Sequence, residues 1–263
     1  MEKRTIYTSG KLTRINNILI LIFLGGLILW VSSCKPTKSA ADMDRHTTET
    51  SKLLARILKL NESGIGNSEQ IILVTNDDIH SKNVTIQTFE KGIGGHWTKM
   101  FADIPGTIGR NGFSPFNQKR EGDNASPTGI FNLGPVFGYV EKIATKMDYR
   151  QATDKDFWID DPESDDYNTW VTMDTPPAVS HERMKLNNDL YKLGIVVQYN
   201  TKQVVKGNGS AIFVHIQGGP GSPTAGCVAM PEINLENIIQ WLRPNKKPLI
   251  IMGTVSELEY NTL

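Results

Sequence analysis

Hydrophobic positions fall into two regimes along this chain. Near the N-terminus they are continuous, Ile18 to Val31 reading ILILIFLGGLILWV. From about Ser68 onward they come as short runs. Ile71-Ile72-Leu73-Val74-Thr75 is an apolar, largely β-branched run of strand length, and Val84 to Phe89 alternates as a half-buried strand does. Asn76-Asp77-Asp78 between them is a turn signal, so the pair predicts a hairpin with a longer loop. His96 to Met100 offers a third strand, and Gly194–Tyr199, Ala211–His215 and Pro248–Met252 offer later ones. Helical spacing is rarer. Leu53, Leu54, Ile57 and Leu60 predict a short amphipathic helix within Thr47–Leu60, packed on the domain and ended by Asn61 to Gly64. Leu235, Ile238, Ile239 and Leu242 predict a second, with Asn234 as N-cap and Pro244 as the stop.

Short strands on long Gly-, Pro- and Asn-rich connections predict a mainly β fold, a β-rich α+β class with few short helices. Asp148 to Pro177 is dense in Asp, Asn and Thr but carries Trp158, Tyr167 and Trp170. Those aromatics need burial, so the segment predicts an ordered loop or lid, and loops of that length are often functional. Gly92-Ile93-Gly94-Gly95 lacks the third glycine of a dinucleotide fingerprint and the Lys-Ser/Thr of a phosphate loop, and reads as a turn. Asp160 to Asp166 is acidic without EF-hand spacing, and reads as a solvated loop.

The continuous run has its own meaning. Lys3, Arg4, Lys11 and Arg14 precede it and Ser32-Ser33-Cys34 follow it. About 14 apolar residues are short for a membrane span and fit the centre of an export signal. Val31-Ser32-Ser33-Cys34 resembles the bacterial lipobox, which implies cleavage before Cys34 and lipidation of its thiol. The lipid would hold the protein to a membrane leaflet at about 0.8 kcal/mol per buried methylene. An uncleaved signal anchor is the alternative, and either exports the remainder. Lys35 to Ala41 reads as a tether. The expected organisation is a leader over 1–33, tether and helix over 34–67, and one catalytic domain over 68–263. Lys35 and Pro36 lack the Asp associated with inner-membrane retention, which favours the outer membrane and a periplasm-facing domain.

Composition narrows the function classes. Lys plus Arg (28) equals Asp plus Glu (28) in 263 residues, which argues against an electrostatic nucleic-acid binder. The five histidines (His46, His80, His96, His181, His215) are scattered, with no HExxH and no CxxC, so neither a metal site nor a cofactor is expected. No GxSxG surrounds any serine, which disfavours an α/β-hydrolase. Oligomeric state leaves no signal.

The two cysteines are Cys34 and Cys227. If Cys34 carries lipid, Cys227 is unpaired in an exported protein, where free thiols risk oxidation and need a reason. The bland alternative is a buried, inert small residue. The segment Gly207–Pro231 (GNGSAIFVHIQGGPGSPTAGCVAMP) favours chemistry. A strand delivers His215 at its end, a Gly/Pro-rich loop follows, and the chain returns at Thr224-Ala225-Gly226-Cys227. A free thiol has a pKa near 8.5, so an imidazole that accepts its proton activates it. Backbone N–H groups near the nucleophile stabilise the developing oxyanion, and Gly226 keeps the approach to the backbone open.

Gly209 to His215 followed by Thr224-Ala225-Gly226-Cys227-Val228-Ala229 resembles the catalytic signature of the L,D-transpeptidase (YkuD-like) family. A second match, Lys119-Arg120-Glu121-Gly122-Asp123 and then Ser126-Pro127-Thr128-Gly129-Ile130-Phe131, resembles the segment beside the family's active-site groove. The resemblance covers roughly Ile71 to Gly253. It implies an L,D-transpeptidase-like β-sandwich acting on peptidoglycan stem peptides. Cys227 would be the nucleophile, His215 the general base and later acid, and the amides of Gly226 and Cys227 the oxyanion donors. Thr224 and Lys119 are expected as substrate contacts. The commoner family form has His where Ala225 stands and Arg where Ala229 stands; Lys119 is a candidate replacement charge, with a solvated loop lysine as the alternative. These departures keep two alternatives open. One is an L,D-carboxypeptidase or hydrolase using the same Cys/His site; the other is a non-catalytic wall-binding lipoprotein.

Overall fold

The computed structural model describes residues 52–260. The leader, Cys34, the tether and the first part of the Thr47–Leu60 helix lie outside the described residues. Among the described residues no helix is long and apolar enough to cross a membrane.

Eight strands form the frame: β1 (Gln70–Asn76), β2 (Asn83–Lys91), β3 (Ile104–Thr107), β4 (Gly129–Gly138), β5 (Leu193–Val197), β6 (Phe213–Ile216), β7 (Val228–Met230) and β8 (Leu249–Thr254). They pair in the order β1-β8-β4-β5-β6-β7-β3-β2, and β2 pairs back onto β1. The mainly β expectation holds, and the two layers expected of a sandwich are joined at both edges into one ring. Among the eight ring strands, β1–β8 and β6–β7 are the parallel pairs. The predicted hairpin is β1–β2, and Trp97–Lys99 adds the third strand to β2.

Period-two alternation sorts each strand between two cores. Ile72 and Val74 of β1 enter the ring with Ile86, Val214, Ile216, Val228, Met230, Ile250 and Met252. Ile71 and Leu73 face outward, where Leu249, Ile251 and three helices cover them. These helices are α1 (52–60), α2 (Glu62–Ile65) and α4 (Val255–Tyr260). Leu54 and Ile57 of α1 are fully buried there, worth about 1.5–3 kcal/mol each. The amphipathic helix thus shares a core with the ring. Covering both faces explains why β1 reads as a continuous apolar run.

The helix α3 (Glu232–Trp241) buries Leu235, Ile238 and Ile239 in the ring core. It starts ahead of the expected cap at Asn234. The chain leaves β7 directly into Pro231, whose φ of −57° suits a helix start. The Pro231 carbonyl already accepts the N–H groups of Asn234 (3.0 Å) and Leu235 (3.2 Å).

The expected lid over Asp148–Pro177 is a small antiparallel sheet. Asp156–Ile159 is its central strand, flanked by Trp170–Thr172 and by His181–Arg183. Its anchor is Asp156, which accepts Thr153, Trp170 and Thr172 donors and pairs with Arg150. Those donors hold the Asp156 carboxyl well below the usual carboxylate range despite burial. Trp158 packs with Phe137, Tyr191, Phe213 and Cys227 in a second outer core, so this sheet roofs the outer face of β4, β5 and β6 and the cysteine turn.

Candidate active site

Two parallel strands set the site. In β6 and β7, Val214 faces Val228, His215 faces Ala229 and Ile216 faces Met230. Val214, Ile216, Val228 and Met230 enter the ring. Phe213, His215 and Ala229 therefore point outward, as does Cys227 one step before β7. Cys227 and His215 meet on the wall of one cavity of about 310 Å³, which Ala225 and Ala229 also line.

The turn that carries Cys227 is tied from within. Thr224 Oγ1 donates to the Cys227 carbonyl (2.7 Å) and accepts the Gly226 N–H (3.1 Å). The Thr224 N–H donates to the Ile108 carbonyl (2.9 Å), and the Arg110 N–H to the Thr224 carbonyl (2.9 Å). Ser126 Oγ donates to the Gly226 carbonyl and accepts the Gly109 N–H. Gly226 sits at φ +154°, and a Cβ there would lie 3.2 Å from the Ala125 carbonyl oxygen. Glycine is thus required by conformation and by close approach. The upstream motif touches the cysteine turn through Ala125 and Ser126.

The rest of that motif closes on itself. Lys119 is buried, and its Nζ donates to Asp123 Oδ1 (2.6 Å) and the Arg120 carbonyl (2.8 Å). It does not line the cavity. Glu121 accepts hydrogen bonds from Ser210 (2.7 Å) and from Tyr167 of the roof. Buried Asn168 accepts the Trp158 indole N–H and the Ala211 N–H on Oδ1. Ala211 is thereby held at φ +52°, a left-handed conformation rare for alanine. That kink is why β6 begins at Phe213 and not at Ala211. It also aims the Ala211 carbonyl at the thiol.

The thiol donates to the Ala211 carbonyl (3.3 Å), and Sγ accepts the Phe213 N–H (3.4 Å). Burial, with the charge of Glu182 adding to it, pushes the Cys227 pKa up to about 12. His215 Nδ1 lies 2.8 Å from the Ile216 carbonyl oxygen. A carbonyl can only accept, so Nδ1 carries the proton and Nε2 is the free base. Burial lowers His215 to about 4. The resting pair is a neutral thiol beside a neutral imidazole. Of the two amides expected to hold an oxyanion, the Gly226 N–H is occupied by Thr224. The Cys227 N–H has no acceptor among the described residues.

Among the cavity residues that sequence reasoning does not single out are Arg110, Glu182 and Tyr191. The Tyr191 hydroxyl donates to Glu182 Oε2 (2.9 Å), tying the roof to the residues preceding β5. Its ring packs edge-on against His215 (5.3 Å), Phe213 (5.6 Å) and Phe137 (5.8 Å). Burial raises the Glu182 carboxyl to about 7. No motif marks these positions, since they reach the thiol only through the fold.

The sequence model of the L,D-transpeptidase catalytic domain (YkuD) matches residues 81–251, from the loop before β2 into β8. The chain belongs to the L,D-transpeptidase catalytic domain family. No curated protein matches it significantly. This family acts on peptidoglycan stem peptides in cell-wall biogenesis. Two departures from the commoner L,D-transpeptidase motif, Ala225 and Ala229, both line the cavity beside the thiol.

Proposed function

We propose that the protein is a cysteine-dependent L,D-transpeptidase that works through a thioester acyl-enzyme on Cys227. The observation that supports this best is the uncommitted Nε2 of His215 on the strand beside a free thiol, both on one cavity wall. His215 Nε2 takes the thiol proton as Sγ bonds to the carbonyl carbon between the diamino acid and the terminal D-residue. The oxygen gains the electron pair and accepts the Cys227 N–H. The tetrahedral centre collapses, the C–N bond breaks, and His215 returns its proton to the leaving amine. An amine of a second stem then attacks the thioester, loses its proton to His215 and expels the thiolate, which is reprotonated. Water in place of the amine gives carboxypeptidase activity by the same steps.

Substrate anchoring falls in this reading to Arg110. Arg110 lines the cavity together with Ala229, and its guanidinium has no ion pair among the described residues. It suits the carboxylate of the leaving D-residue. Lys119 and Thr224 instead hold backbone and carboxylate groups of the protein itself. The leader sequence supports an exported domain held at the cell envelope by lipid on Cys34, facing the periplasm.

Purified protein and Cys227→Ala, incubated with disaccharide tetrapeptides and read by mass spectrometry, test this. Dimers linked between two diamino-acid centres are the expected product, with a loss of about 10⁴-fold or more in the variant. Tripeptide alone would assign hydrolysis. Equal turnover by both proteins would end the assignment of Cys227.

A further inference from the structure

The resting thiol is a weak acid beside a weak base, so a thiolate at Cys227 needs donors that the His215 pair does not supply. The Phe213 N–H is one. The second group at hand is the Tyr191 hydroxyl, since Tyr191 lines the same cavity as Cys227 and packs with it in the same outer core. At rest it is turned to Glu182. The tyrosine ring is clamped by three edge contacts, so the hydroxyl proton can turn while the oxygen stays.

We propose that Tyr191 is a catalytic hydrogen-bond donor to the Cys227 thiolate, and that Glu182, in its protonated form, is the positioning residue that donates to Tyr191 from behind. The proposal rests on Cys227 being the nucleophile. With Glu182 ionised, the carboxylate holds the tyrosine proton and its charge opposes the thiolate. With Glu182 protonated, the carboxyl O–H donates to the Tyr191 oxygen, and the Tyr191 O–H donates to sulfur. No net proton is exchanged with solvent beyond the one on Glu182.

The surroundings of Glu182 favour the protonated form. The charged and titratable groups around it, besides Tyr191, come from several elements. Asp160 follows the central roof strand, Glu121 belongs to the loop before β4, Cys227 and His215 line the cavity, and Arg110 stands on its wall. Asp160 Oδ1 is buried with no hydrogen-bond partner among the described residues. A second carboxylate so poorly compensated disfavours ionising Glu182.

Iodoacetamide alkylation of Cys227 in the full-length protein, resolved from Cys34 by peptide mass mapping, tests the pair without any peptidoglycan substrate. In wild type the alkylation rate should rise with pH but flatten near pH 7, as Glu182 ionises. Tyr191→Phe keeps the ring contacts and should alkylate about 10- to 100-fold more slowly at pH 6. Glu182→Gln retains a neutral donor. It should match wild type at pH 6, exceed it at pH 8, and show no inflection near 7. A wild-type rate in Tyr191→Phe, or an inflection kept in Glu182→Gln, would overturn the proposal. If the phenylalanine variant melts, Glu182→Gln decides alone. Expected alkylation profiles with no stem-peptide turnover would remove the substrate assignment but leave this pair standing. Normal turnover with a Tyr191-insensitive thiol would do the reverse.

Discussion

Thr224 lines the cavity beside Cys227, and two roles compete for its hydroxyl: holding substrate or holding the turn. The hydrogen bonds favour the turn. Oγ1 is engaged twice, as donor to the Cys227 carbonyl at 2.7 Å and as acceptor of the Gly226 N–H at 3.1 Å. Thr224→Val preserves shape and removes both bonds. The Gly226 N–H is then left unpaired in a closely packed turn, at about 1–3 kcal/mol. The lost bond to the Cys227 carbonyl adds about 1 kcal/mol, softened because Ser126 Oγ also reaches that oxygen (3.4 Å). The sum is about 2–3 kcal/mol. In a domain of this size that corresponds to a melting temperature lower by about 5–10 °C.

Urea denaturation with Cys227 alkylation on the same samples reads both roles. The expected outcome is a lower midpoint at unchanged m-value, with slower alkylation because the sulfur is less well held. A substrate-binding threonine would behave differently. Stability would stay within about 0.5 kcal/mol of wild type, and KM for the stem peptide would rise. That second pattern would refute the reading of the turn.

Two further outcomes are expected. Arg110→Ala should raise KM for a tetrapeptide about tenfold with kcat within about twofold and the melting temperature unchanged, since the guanidinium has no ion pair among the described residues to lose; an unchanged KM would remove Arg110 from the substrate contacts. His215, lowered to about 4 by burial, refuses a proton that the unfolded chain takes near 6.5. Its contribution to stability is therefore complete above pH 6.5 and is lost as pH falls toward 4. His215→Gln should lose up to about 3 kcal/mol less than wild type between pH 7 and pH 4 in urea titrations, and equal losses would contradict a buried neutral imidazole.

What could be read in advance follows from how local each signal is. The hairpin of β1 and β2 was legible because Ile71 to Thr75 and Val84 to Phe89 carry their own periodicity. Gly226 and Cys227 were legible because the turn needs a glycine within a few residues of the thiol. β3 and β4 were not, because Pro105, Gly106, Gly134 and Pro135 interrupt the alternation that marks a strand. Their strand state is imposed by pairing with β2 and β8. The roof was half legible. Trp158 and Trp170 demanded burial, but three-residue strands such as Trp170–Thr172 hold no period to detect. Thr224 and Lys119 lie in recognisable motifs, yet motif membership does not distinguish a group aimed at substrate from one aimed at the backbone. Glu182 and Tyr191 carry the opposite lesson. They sit in unremarkable sequence, and only the pairing of β4 with β5 and of the roof strands brings both beside Cys227. A candidate thiol can be found from its own turn, whereas the groups packed around it come from wherever the topology delivers them. The surroundings of Cys227 and His215 are therefore a property of the closed ring and its roof.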